Sequence, residues 1–123
     1  MRSSALMTLL FNAGLPVSGY EFEQHSPDER EALLRQLFAD TDMVVTTNPA
    51  VTLVEIEAEQ AAYLITEVGH FAHPSIIRRS LSVHKGAKTI QVRGFTAAPS
   101  DIMSTWLGQF RMQDELIGQT FAR

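Results

Sequence analysis

Ile76-Ile77-Arg78-Arg79-Ser80-Leu81-Ser82-Val83-His84-Lys85-Gly86-Ala87-Lys88-Thr89-Ile90-Gln91-Val92-Arg93-Gly94-Phe95 reads as a β-hairpin. Two alternating stretches, 76–84 and 88–95, flank Lys85-Gly86, which suits a two-residue turn. With that turn Leu81 faces Ile90, and Ile77, Leu81, Val83, Ile90 and Val92 share one side. A three-residue turn would oppose Leu81 to Gln91 and split the apolar set, so the two-residue register is expected.

The same register collects Arg78, Ser80, Ser82, Thr89, Gln91 and Arg93 on the other side, with Arg78 directly across from Arg93. Like charges opposed on a sheet cost about 0.2–1 kcal/mol unless something negative lies between them. Arg78 and Arg93 are therefore candidate contacts for an anion, with His84 and Lys85 assisting at the hairpin tip. The plainer alternative is a solvated face salt-bridged to Glu55 or Glu57. Arg79 falls on the apolar side, where it is expected to snorkel or to pair with an acid such as Asp101.

Charge is distributed unevenly around this ribbon. Between Val68 and Ser100 there is no Asp or Glu, and five of the ten Lys and Arg lie there. The segment carries +5 and the remainder −9, for a net charge of −4. An acid-free basic stretch in an acidic protein suggests a surface that meets something negative. The overall acidity argues against a general nucleic-acid binder, and one or two aromatics beside two arginines fall short of a single-strand stacking platform.

Outward from the hairpin, Ala61–Thr66, Val51–Glu57 and Met43–Thr47 read as further strands, with a turn at Asn48-Pro49. Ser26-Pro27-Asp28-Glu29 is a capping box that opens a helix over about residues 27–39, with Leu33, Leu34, Leu37 and Phe38 at helical spacing and Asp40-Thr41-Asp42 ending it. Pro99-Ser100-Asp101 opens another, whose stripe of Met103, Trp106, Leu107, Phe110, Ile117 and Phe121 is broken by Asp114. At 123 residues the chain supports one core. The expected fold is α+β: an antiparallel four- to five-stranded meander sheet with two helices packed on one face. The other face is then open to solvent or to a partner.

Residues 1–19 allow two readings. Arg2, the apolar run from Ala5 to Leu15 and the small residues Val17-Ser18-Gly19 fit an export signal, predicting a periplasmic or secreted protein whose mature domain is 20–123. Alternatively Ser3 or Ser4 caps a short N-terminal helix stopped by Gly14 and Pro16, in which case the protein is cytoplasmic. No apolar run reaches the length of a membrane span.

The remaining chemistry is sparse. Glu67, His70 and His73, with His84 as a distant fourth group, are the candidate metal ligands, and zinc the matching ion for a metal-binding protein or metal-dependent hydrolase. His-x-x-His is nonspecific outside a helix, and the alternative is that these side chains bond locally. There is no cysteine, no nucleophile-elbow motif and no phosphate-binding glycine loop. The leading reading is a small non-enzymatic binding module that contacts an anionic ligand or a protein partner through the hairpin face and requires no cofactor. A homodimer through the same face would draw apolar area from Tyr63, Ile76 and Phe95.

Overall fold

The computed structural model describes residues 5–39, 44–47 and 50–121. Three helices, α1 (Ala5–Phe11), α2 (Pro27–Phe38) and α3 (Ser100–Phe121), accompany six strands. The strands are β1 (Val17–Gln24), β2 (Val44–Thr47), β3 (Val51–Ile56), β4 (Ala61–Thr66), β5 (Ser75–His84) and β6 (Ala87–Thr96). They form one sheet in the order β1-β6-β5-β4-β3-β2. From β2 to β6 the sheet is an antiparallel meander, as expected, while β1 joins it by pairing parallel to β6.

The hairpin forms in the anticipated register, with Leu81 opposite Ile90 and Arg78 opposite Arg93. Lys85 and Gly86 both adopt positive φ, +53° and +81°, the backbone that a tight primed turn requires. Val83 is exposed, so the buried apolar side stops short of the turn. Ser26 accepts from the Glu29 amide while the Glu29 carboxylate accepts from the Ser26 amide, so the capping box that starts α2 is complete. The Ser3/Ser4 cap, the Asp40-Thr41-Asp42 helix stop and the Asn48-Pro49 turn lie outside the described residues, as does Met43.

Two expectations need correction. The sheet is mixed and six-stranded, because residues 17–24 supply an edge strand. The two long helices also lie on opposite faces. Residues adjacent in a strand point to opposite sides, and the neighbours Ile76 and Ile77 belong to different cores. Ile77, Ile90, Val92 and Ala62 pack with Leu6 and Leu10 of α1 and with Met103, Trp106 and Leu107 of α3. Ile76, Tyr63, Ile65, Val54 and Ile56 pack instead beneath Leu33, Leu34 and Leu37 of α2. Since β1 and β2 are at opposite edges, α2 crosses the second face between them and covers only part of it.

Met103 of α3 packs directly over the backbone of Gly94 in β6. A Cβ at Gly94 would stand 2.1 Å from the Met103 Cε and 3.0 Å from the Phe22 Cβ. Met103 is fully buried, so a side chain at position 94 would force its terminal methyl to move within the core.

Candidate functional site

The part of the second face that α2 leaves open is built from β1, β6 and the distal half of β5. Alternation places Arg78, Ser82, Thr89, Gln91 and Arg93 there, joined by Glu21 and Glu23 of β1. Parallel pairing sets Glu21 beside Arg93 in register, and the Glu23 Oε1 accepts from the Arg93 Nη2 at 3.2 Å. The Arg93 side chain is 56% exposed and Glu23 52%. Its guanidinium also lies 5.8 Å from the Phe95 ring. Ser18, Gly19, Glu21, Gln91, Val92 and Arg93 line a shallow open groove of about 230 Å³.

Arg78 is more confined. Its Nε donates to the Tyr63 hydroxyl at 2.9 Å and its Nη2 to Glu59 Oε1 at 3.3 Å, while the Tyr63 hydroxyl also donates to Glu59 at 2.6 Å. Burial raises the Tyr63 phenol pKa, Glu59 raises it further, and Arg78 opposes the shift. Each arginine thus has its own carboxylate, which accounts for two like charges sitting opposite one another. The partners are Glu59 and Glu23; the suggested Glu55 and Glu57 do not serve. Glu55 is buried, and Glu57 begins the short 3-10 turn before β4.

Other predicted contributors are less available. Ser80 is buried. Tyr63 and Ile76 are sealed beneath α2 with Phe95 packed against them, so they cannot supply apolar area to a dimer. His84 and Lys85 are exposed at the hairpin tip, and among the described residues their side chains make no hydrogen bond or ion pair.

Glu67, His70 and His73 do not converge. Glu67 accepts from Thr52 at 3.3 Å. His73 Nδ1 lies 2.9 Å from the Thr66 hydroxyl. His70 Nδ1 accepts from the Ala72 amide at 3.0 Å, and its ring packs against Trp106 and Phe71 with centroids 4.8 and 5.0 Å away. Burial, aided by the charge of His73, lowers the His70 pKa. Among the described residues no three His, Cys, Asp or Glu side chains gather to hold a metal ion. In this loop the histidines bond and stack locally.

The most heavily engaged polar group is Arg79, which pairs with an acid, one of the two outcomes expected for it, though with a different acid from the one suggested. Arg79 is 3% exposed and forms a bidentate pair with Asp114 of α3, at 2.9 Å from Nη1 and 2.7 Å from Nη2. Its Nε donates to the Leu10 carbonyl of α1, and the Tyr20 hydroxyl of β1 donates to the same Asp114. Burial first, and Asp114 second, push the Tyr20 phenol well above its ordinary pKa. Asp101 plays no part in it. The signal was present: a charge on the apolar side of β5 and an acid interrupting the stripe of α3 have to meet if both are to be buried.

No family model, curated protein or solved structure matches the chain. Among the described residues no helix is long and apolar enough to cross a membrane.

Proposed function

We propose that the chain is a small non-enzymatic binding module that contacts a protein partner or an anionic ligand through the open face of β5 and β6. Arg93 is the principal contact in this reading, with Arg78, His84 and Lys85 around it. The observation that supports it is the state of Arg93: more than half exposed, beside a groove, and held by an equally exposed Glu23. Such surface pairs contribute about 0–1 kcal/mol. An incoming carboxylate or phosphate therefore displaces Glu23 at little cost, and an incoming cation can take the carboxylate released. That exchange favours a protein partner of mixed charge over a simple anion.

The packing also supports a domain that includes residues 5–19. Leu6 and Leu10 of α1 belong to the main core and β1 begins at Val17, so cleavage after Gly19 would remove both a core helix and the start of a strand. N-terminal sequencing of protein from its native host decides this point.

The binding proposal is tested with the Arg78→Ser, Arg93→Ser double variant. Binding to an acidic polyglutamate peptide at several salt concentrations, and self-association by sedimentation, are compared with the parent protein. Weaker binding with a smaller salt dependence is expected. Unchanged binding together with unchanged self-association would remove the proposal.

A further inference from the structure

We propose that the outer edge of β1 is a docking site for an extended segment of a protein partner carrying Lys or Arg at alternate positions, which adds a strand to the sheet. This concerns the strand edge and stands whether or not Arg78 and Arg93 take an anion.

The backbone provides the first argument. Among the described residues β1 pairs only with β6. The His25 amide donates to the Thr96 carbonyl, which fixes the odd-numbered residues of β1 beyond the register shift at Val17–Gly19 as those that carry the ladder to β6. The N–H and C=O groups of Tyr20, Phe22 and Gln24 therefore point away from the sheet. An edge of this kind is a template for another extended chain. β1 offers eight residues, whereas β2 at the far edge has four.

Space is the second. An added strand would turn its side chains alternately to the two sides of the sheet. On the α3 side, two adjoining grooves of about 380 and 200 Å³ run along β1 and share Tyr20 and Arg111. Phe22, Leu107 and Gly108 line the smaller one, which suits apolar side chains. On the other side lies the groove of about 230 Å³ that Glu21 lines.

Charge selects the occupant. Glu21 is exposed and has no partner among the described residues, and Glu23 projects to the same side two residues on. Antiparallel pairing with a second copy centred on Glu21 would oppose that residue to itself. Centring on Phe22 would oppose Glu21 to Glu23. Like charges directly opposed on a sheet are destabilising, so these two registers discourage a second copy, whereas a basic strand is favoured by both acids.

The test uses two synthetic nonapeptides, one of alternating Lys and Val and one of alternating Glu and Val, with amide exchange followed residue by residue by NMR. The Lys peptide should slow exchange at Tyr20, Phe22 and Gln24, and the Glu peptide should not. Glu21→Lys alters an exposed side chain without a partner and should weaken the Lys peptide about two- to fivefold, the range of one cross-strand ion pair. Unaltered exchange at those three amides under excess Lys peptide would overturn the proposal, as would an affinity that Glu21→Lys leaves unchanged. A dimer in sedimentation with these amides already protected would assign the edge to a second copy and overturn it as well.

Discussion

Arg79 and Asp114, on β5 and α3, meet through two parallel hydrogen bonds in a site where the arginine is 3% and the aspartate 14% exposed. With the Leu10 carbonyl and the Tyr20 hydroxyl they join α1, β1, β5 and α3 at one point. Ion pairs this deep add little net stability when intact, yet removing one partner strands the other without solvent. Asp114→Ala should therefore cost about 3–5 kcal/mol. The Arg79→Met, Asp114→Leu double variant should be markedly more stable than either single change, as measured by urea unfolding. Additive losses would show that the two charges do not depend on each other.

The phenols give a spectroscopic check of the same region. Both tyrosines have raised pKa values, Tyr20 through burial and then Asp114, Tyr63 through burial and then Glu59. A raised phenol pKa contributes stability that is present below the unfolded value near 10 and is lost as pH climbs past it. Ultraviolet titration of the folded protein should show less than half the phenolate expected at the ordinary midpoint, with further ionisation at higher pH. Tyr20→Phe removes a donor to a carboxylate and should cost about 1.5–3 kcal/mol.

His70 sets a dependence at the acidic side. Its pKa is lowered, so the unfolded chain binds the proton more readily. The stability from the neutral ring is present above the unfolded value near 6.5 and is lost as pH falls below it. Unfolding free energies at pH 7.5 and 5.5 should differ less in His70→Gln than in the parent. An identical difference in both proteins would show that His70 does not carry this dependence.

Much of the architecture is legible because the relevant signals are local. Lys85-Gly86 and the alternation around it determine the β5–β6 register, and Ser26 to Glu29 start α2 where the capping box predicts. β1 is harder to read. Only Tyr20 and Phe22 alternate with acids, Pro16 and Gly19 obscure the start, and a parallel partner leaves no turn motif nearby. The side on which α2 packs is not encoded in its own stripe. It is encoded in β4, where Ala61-Ala62-Tyr63-Leu64-Ile65 is apolar without alternation, as expected for a strand covered on both sides. Arg78 and Arg93 occupy the predicted face, but their acids come from the 3-10 turn and from β1, both remote in sequence.

Parallel pairing of β1 with β6 has a consequence for how the molecule is made. The Ser18 hydroxyl reaches the Ile90 carbonyl across a sequence separation of 72 residues. During synthesis β1 emerges well before the strand it must lie against, since the paired residues Ser18 and Ile90 are 72 positions apart. Closing so large a loop slows folding and leaves early hydrophobic segments waiting. Until β6 arrives, Tyr20 and Phe22 have nowhere to go, and that interval is when a nascent chain of this protein is most exposed to chaperones and to aggregation.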